Sequence, residues 1–246
     1  MAASILITRP DPAGTTFADQ LRQKLGGTCT ICTSPLMQIE SCANLPDLSG
    51  IGTLIFTSRH GVETFEHLSN RRDILAYAVG VATGQAAKRI GLSVTIGDGD
   101  AERLVAQILR DNPAQPCLHI RGEHVAAPLA DILTKAGIET HEAVIYSQKP
   151  LTLSNSAQRV LQREEAVILP LFSPRSAELL FSQPGVTDWR ADLHIVTISV
   201  AVANNVPKTW AKTTKVASQP TAEAMVDAVQ RLWGTLNRLE GGQPAQ

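Results

Sequence analysis

An internal repeat constrains this chain more than any other feature of its sequence. The segment Phe56-Thr57-Ser58-Arg59 ends one apolar run, and Phe172-Ser173-Pro174-Arg175 ends another in the second half. Arg9 and Arg121 follow two further apolar runs at equivalent places. Two copies of one unit of roughly 110 residues therefore account for the chain, because self-similarity at a fixed spacing indicates duplicated supersecondary units.

Within each copy, short apolar runs alternate with stretches in which apolar residues recur at helical spacing. This alternation predicts an α/β fold with parallel sheets that helices cover on both faces. Ligands of such sheets bind beyond the carboxyl ends of the strands. The polar residues that follow the strands are therefore the first candidates for a functional site.

The composition favours a globular protein without a global charge preference. The chain has 246 residues, of which 43% are hydrophobic, and its net charge is -1. We expect neither nucleic acid nor a membrane surface as a partner, because both require a strongly basic face. The longest apolar runs fall short of the roughly 18 residues of a membrane span, and the start lacks the features of a signal peptide. We therefore expect a cytoplasmic protein.

The motif Cys29-Thr-Ile-Cys32 lies in a segment rich in β-branched residues. A redox pair of this spacing sits at the start of a helix, where the thiol pKa is lowered, and a structural zinc site needs a second pair. We interpret these cysteines as strand residues.

Other catalytic patterns are weak. The six histidines are scattered, and nucleotide-binding fingerprints are absent from the sequence. Asp98 and Asp100 could form a carboxylate pair, but Asp100 is more simply the cap of the helix that follows.

Polar residues do gather where the predicted strands end. Taken singly, each serine or threonine is a candidate helix cap, Thr83 included; taken together, they could surround an anionic ligand with free helix amides. The residues are Arg9, Thr57, Ser58, Arg59, Thr83, Arg121, Ser173, Arg175 and Ser199.

These motifs occur in an order that resembles the uroporphyrinogen-III synthase family, and the resemblance covers about residues 4 to 235. It is carried by Leu6-Ile-Thr-Arg9-Pro10, Leu54-Ile-Phe-Thr57-Ser58, Val79-Gly80-Val-Ala-Thr83, Arg121-Gly122-Glu123, Tyr146, Phe172-Ser173-Pro174 and Pro220-Thr221.

The resemblance implies two flavodoxin-like α/β domains with parallel sheets. Residues 1–35 would fold with residues 150–246, and residues 50–142 would form the second domain. Residues 36–49 and 143–149 would form a two-stranded linker. The repeat alone permits this pairing but does not require it.

The resemblance also implies a reaction. The family cyclises hydroxymethylbilane, a linear tetrapyrrole polycarboxylate, with loss of water and inversion of ring D, and uses no cofactor or metal. Tyr146 matches the linker tyrosine, which could donate a proton to the leaving hydroxyl or could be structural.

The remaining site residues follow from the same resemblance. Amides and hydroxyls at Thr57, Ser58, Thr83, Ser173 and Ser199 would hold carboxylates, with Arg9 and Arg121 at the cleft edge. Arg59, Gly122 and Pro174 would also be substrate-binding residues. We expect a monomer.

The chain departs from the family's pattern at two places. Where the family often has Gly-Pro-Thr-Thr-Ala, this sequence has Ser199-Val-Ala-Val-Ala203, and His60 stands where Asn is common. Two alternatives stay open at this stage: a non-catalytic two-lobed module that binds a small anion, and a flavodoxin-type redox or signalling domain. The second is disfavoured, because the sequence shows no phosphate-binding loop.

Overall fold

The computed structural model describes residues 3–26, 29–42, 45–124 and 127–241. The chain divides into two compact units, one formed by Met1–Gln38 with Pro150–Gln246 and the other by Ile39–Lys149. In the described part of the chain, no helix combines the length and the apolar character that crossing a membrane would require.

The first unit is an α/β structure assembled from both ends of the chain. Its strands are β1 (Ser4–Ile7), β2 (Thr30–Thr33), β9 (Ala166–Leu171), β10 (Asp192–Thr197) and β11 (Ala211–Val216). Its helices are α1 (Ala13–Leu25), α6 (Asn155–Leu161), α7 (Pro174–Phe181), α8 (Val200–Ala203) and α9 (Ala222–Gly241), with a 3₁₀ turn at Val186–Asp188.

The second unit has the same kind of alternation. Its strands are β3 (Met37–Ser41), β4 (Thr53–Phe56), β5 (Leu75–Ala78), β6 (Val94–Ile96), β7 (Cys117–Gly122) and β8 (Thr140–Pro150). Its helices are α2 (Arg59–Leu68), α3 (Val81–Arg89), α4 (Ala101–Asp111) and α5 (Leu129–Lys135).

The two sheets show the repeat in their strand orders. The five-stranded sheet runs β11-β10-β9-β1-β2, and the six-stranded sheet runs β3-β8-β7-β4-β5-β6. Apart from β3, each sheet joins the first two strands of one copy, β1-β2 or β7-β8, to the last three of the other. Read this way, both sheets have the flavodoxin-type order 2-1-3-4-5. The predicted α/β class with two parallel-dominated sheets is confirmed.

Each sheet is buried on both faces, as its apolar strands predict. In the first unit Phe17 of α1 and Met225 of α9 pack on one face beside Ile5 and Ile7. In the second unit alternate residues of β4 point to opposite cores. Phe56 meets Phe65 with a centroid distance of 5.6 Å, whereas Ile55 lies in the cluster of α4 and α5. The packed strands thus hold the carboxyl edge of each sheet in place, and the polar residues that follow the strands lie at this edge.

Candidate functional site

Helices α2 and α7, which begin at the carboxyl edges of the two sheets, are capped by serines, as the sequence predicts. Ser58 accepts a hydrogen bond from the backbone N–H of His60 at 3.1 Å, and Ser173 accepts one from Ser176 at 3.1 Å. Pro174 occupies the first turn of α7, where its missing N–H costs nothing. Each capping hydroxyl also has a second neighbour: Ser58 is hydrogen-bonded to the Tyr146 phenol, and Ser173 Oγ lies 2.8 Å from Ser176 Oγ.

The departure at Ser199 preserves this capping. Ser199 accepts a hydrogen bond from the backbone N–H of Val202 at 3.4 Å, and α8 begins at Val200. Ala201 and Val202 bring no hydroxyl to this turn. Ser199 is therefore the one hydroxyl that the departure leaves in this short segment.

The prediction that Thr83 caps a helix is wrong. Helix α3 begins at Val81, its cap position is Gly80, and the cap provides no side-chain hydrogen bond. Thr83 is the third residue of the helix and is buried. The helix starts early because β5 ends at Ala78 and the chain turns tightly at Gly80. This turn lies close to Gly99: a Cβ on residue 80 would be 3.1 Å from the Gly99 Cα.

The arginines after the strands make ion pairs within the second unit. Arg59 Nε lies 3.1 Å from a carboxylate oxygen of Glu63, one turn along α2. Arg121 Nη2 lies 2.8 Å from Glu142, and Nη1 donates to the Gly122 carbonyl at 2.9 Å. Both guanidinium groups are therefore already neutralised before any ligand binds.

Arg175 of the first unit repeats this behaviour. Its Nη1 lies 3.2 Å from Glu178 on the same helix, α7. Arg9 instead stacks on Phe172, with its guanidinium carbon 4.2 Å from the ring centroid. Phe172 in turn meets Phe17 edge to face at 4.9 Å. Strands β1 and β9 are neighbours, so the structure brings Arg9 close to the segment that carries Ser173.

Tyr146 lies at the carboxyl edge of the second unit and is buried, with 3% of its surface exposed. Burial raises the pKa of its phenol, while the Ser58 hydroxyl and the backbone amide of Gly122 lower it in part. Three predicted site residues therefore come together here: Ser58, Gly122 and Tyr146. The phenol holds its proton at neutral pH, since burial disfavours the charged form.

The lack of a side chain at Gly122 makes room for the Tyr146 ring, whereas a Cβ at Gly61 would only reach ordinary contact distance. A Cβ at Gly122 would lie 2.6 Å from the ring, and one at Gly61 would lie 3.8 Å from it. The His60 ring approaches the same ring edge to face at 6.2 Å. Histidine at position 60, a departure from the family's pattern, thus borders Tyr146.

His60 also takes part in an ion-pair cluster at the start of α2. Its Nδ1 lies 3.3 Å from Glu63, which also pairs with Arg59. Burial opposes ionisation of Glu63, but the contacts with His60 and Arg59 outweigh it and lower the pKa of the carboxyl. Glu63 thus stays ionised and holds both side chains against the helix.

A buried histidine, His119, was missed by the sequence analysis. Its Nε2 lies 3.0 Å from the Thr57 hydroxyl, and its Nδ1 lies 3.5 Å from a carboxylate oxygen of Glu142. Strand alternation could have indicated it, because His119 and Arg121 are two residues apart at the end of an apolar strand and share a face. Together, Thr57, His119, Arg121 and Glu142 form a polar cluster, called here the Thr57 cluster.

Two other predictions concern residues away from the Tyr146 site. Asp100 caps α4 by accepting a hydrogen bond from the Arg103 amide at 2.7 Å, as predicted. Cys32 lies in β2, and Cys29 precedes that strand. Among the residues that the structure describes, no group of three or more His, Cys, Asp or Glu side chains could hold a metal ion.

Comparison with known families gives a match over most of the chain. Residues 16–227 match the family described as uroporphyrinogen-III synthase HemD. No curated protein sequence matches the chain.

Solved structures with the same fold carry related descriptions. Uroporphyrinogen-III synthetase from Helicobacter pylori has a TM-score of 0.64 and 19% identity, over 94% of this chain and 100% of that chain. A mutant uroporphyrinogen III synthase from the extremely thermophilic bacterium Thermus thermophilus has a TM-score of 0.60 and 15% identity, over 95% and 100%. At these identities the structural likeness establishes the fold.

Proposed function

The chain belongs to the uroporphyrinogen-III synthase HemD family, and we propose that Tyr146 is the proton donor of the family's reaction. That reaction cyclises hydroxymethylbilane to uroporphyrinogen III with loss of water and inversion of ring D, in tetrapyrrole biosynthesis. Family membership favours this lyase activity over a non-catalytic anion-binding module and over a redox domain.

The environment of Tyr146 is the observation that carries the proposal. The ring is buried and flanked by Gly122 and Gly61, so its position is fixed. Its raised pKa keeps the proton on the phenol. The departing hydroxyl of the substrate needs such a proton, and a positioned general acid contributes roughly 10²–10⁴-fold to a rate.

The substrate's carboxylates would bind at the helix starts. Helices α2, α3 and α7 begin just after strands, and the first amides of a helix have no partner within the helix. Such amides attract anions without a basic surface. We assign further substrate contacts to Gly122, to the Pro174 carbonyl, which can only accept a hydrogen bond, and to the Arg9 and Arg121 side chains.

Binding that bends the substrate would supply much of the catalysis. The linear tetrapyrrole also closes without an enzyme, and it then gives the uninverted type I product. Holding the substituted carbon of ring D against the other end of the chain selects the inverted product, since orientation alone can lower a barrier by several kcal/mol.

A Tyr146→Phe variant tests the proposal. We expect the rate to fall about 10²-fold and the share of type I product to rise, measured by separating the porphyrin isomers after oxidation. Tyr77→Phe is the matched control, because Tyr77 is also buried in this unit but its hydroxyl donates to Asp111 at 2.9 Å. Unchanged turnover in Tyr146→Phe would exclude the proton-donor role, whereas type I product alone from the unaltered protein would reject the synthase activity.

The location and the oligomeric state are separate proposals. We propose that the enzyme works in the cytoplasm as a monomer. Cell fractionation tests the location, and light scattering coupled to size-exclusion chromatography tests the mass in solution.

A further inference from the structure

The Thr57 cluster lies at the carboxyl edge of the second unit and has no part in the proton transfer by Tyr146. Thr57 directly follows β4, His119 and Arg121 belong to β7, and Glu142 belongs to β8. These strands are adjacent and parallel, in the order β4-β7-β8. The three strands therefore hold the four side chains in one row.

His119 carries a single ring proton at neutral pH. The residue is 1% exposed, and burial in a low-dielectric interior disfavours the imidazolium. Burial lowers the pKa of His119 to about 4, with Glu142 opposing the shift and Arg121 assisting it. A neutral imidazole has one N–H donor and one acceptor nitrogen, so the neighbours decide which nitrogen carries the proton.

Glu142 places that proton on Nδ1. Its carboxylate is paired with Arg121 at 2.8 Å, and one of its oxygens lies 3.5 Å from His119 Nδ1. An N–H at Nδ1 attracts this negative charge, whereas a lone pair at Nδ1 would be repelled by it. Since Nδ1 has no aligned hydrogen-bond partner among the described residues, the charge of Glu142 is the deciding influence.

The Thr57 hydroxyl then donates its proton to His119 and has none left to donate to a ligand. With the proton on Nδ1, Nε2 is an acceptor, and the Thr57 hydroxyl 3.0 Å away must donate to it. A threonine hydroxyl has one proton to donate and two lone pairs. Only acceptor capacity remains for a ligand, and a carboxylate facing Thr57 would meet lone pairs instead of a donor.

We propose that His119 is a positioning residue that makes Thr57 a hydrogen-bond acceptor, so that Thr57 binds a pyrrole N–H of the substrate and not a carboxylate. The inference rests on the proposed function, because a linear tetrapyrrole offers both kinds of group: ring N–H donors and carboxylate acceptors. It departs from the expectation that every hydroxyl at the strand ends holds a carboxylate. Thr57 would then orient a ring, while the capping serines hold its acidic side chains.

The tautomer of His119 gives the first test, and it needs no substrate. The full chain, labelled with ¹⁵N-histidine, is studied by long-range ¹H–¹⁵N NMR at pH 7, and His119 is assigned by the signal lost in His119→Gln or, should that variant not fold, in His119→Asn. We expect a protonated Nδ1 and an unprotonated Nε2. A proton on Nε2, or on both nitrogens, would overturn the proposal whatever the enzyme's activity.

Kinetics give the second test. Thr57→Val removes the hydroxyl at nearly constant volume, and we expect KM to rise about fivefold, as for the loss of one neutral hydrogen bond. Thr57→Ser is the matched control and should keep KM within twofold. An unchanged KM in Thr57→Val would overturn the contact with substrate.

A double variant separates positioning from general damage. If His119 acts through Thr57, the single variant His119→Gln should raise KM. The double variant His119→Gln/Thr57→Val should then have a KM within twofold of that of Thr57→Val alone. Fully multiplicative effects would overturn the coupling. Failure of the proposed function can be distinguished from failure of this proposal. In the first case the unaltered protein gives no type III product, whatever the tautomer of His119; in the second the unaltered protein is active but the tautomer or the KM values differ from those expected.

Discussion

Gly122→Ala is the substitution that most directly tests whether Tyr146 is held in place by packing. Gly122 ends β7 at a register shift, where Arg121 pairs with Val144 and Gly122 pairs with Tyr146. A Cβ at Gly122 would lie 2.6 Å from Tyr146 Cε2 and 2.7 Å from Cζ. Carbon atoms normally pack about 3.5–4.0 Å apart, so the ring must move by roughly 1 Å.

The ring has little space for that movement. Tyr146 is 3% exposed, and the His60 ring lies against it with a centroid distance of 6.2 Å. Overpacking of this kind costs about 1–3 kcal/mol of unfolding free energy. A displacement of about 1 Å at a catalytic group can lower the rate about 10²-fold, so activity should suffer more than stability.

Two measurements check this prediction. Chemical denaturation should show the loss of stability, and isomer analysis of the product should show slower turnover with a larger share of type I. Gly234→Ala is the matched control, because a Cβ at this α9 glycine meets no atom within 4 Å. Alanine in a helix interior should stabilise the control by roughly 0.5–1 kcal/mol. A Gly122→Ala protein with unaltered rate, isomer ratio and stability would refute the reasoning, since the ring would then have room to spare.

Three further predictions concern stability and capping. Folding lowers the pKa of His119 from 6.5 to about 4, so the unfolded state binds more protons than the folded state between these pH values. The free energy of unfolding should therefore fall by roughly 2–4 kcal/mol as the pH drops through that window. Urea unfolding at pH 7 and 4.5 should show a smaller fall in His119→Gln than in the unaltered protein. Ser173→Ala should cost about 1 kcal/mol through the lost cap of α7 and raise KM, and Ser173→Asn should restore the stability; an unaltered unfolding midpoint would contradict the capping role. Tyr77→Phe should cost about 1 kcal/mol through its lost bond to Asp111, and slower turnover would contradict the separation of this residue from the site.

Local features were the part of the fold that the sequence could predict. Capping depends on a side chain and the two or three amides that follow it, so Ser58, Asp100 and Ser173 were correctly interpreted from their neighbours alone. Thr83 was wrong for a non-local reason. The glycine at position 80 lets the chain turn against Gly99, and the helix then begins before a hydroxyl is available.

The exchange of strands between the two copies could not be derived from the repeat. Strand β1 pairs with β9, and β4 pairs with β7, so each sheet combines both copies. A sheet built from a single copy would satisfy the same apolar pattern, because equivalent strands present equivalent faces. The connection lengths and the packing of both termini decide between the two.

The Thr57 cluster shows why single residues are hard to interpret from sequence. His119 and Glu142 belong to different strands, and their contact depends on the register between β7 and β8. A one-residue slip would place one of them on the opposite face. Strand patterns reveal which residues share a face, but the register is a property of the assembled sheet.

The ion pairs at the strand ends also bear on how a polycarboxylate could be held and released. Arg59, Arg121 and Arg175 each pair with a glutamate of the same unit. A substrate carboxylate that approached these arginines would have to displace an existing partner, which cancels much of the gain. Helix amides have no charged partner that a carboxylate would have to displace, and their attraction for anions is modest, about 0.3–1 kcal/mol for each exposed site. Several weak contacts of this kind can orient a flexible chain with many carboxylates and still let the more rigid macrocycle leave once its ends are joined.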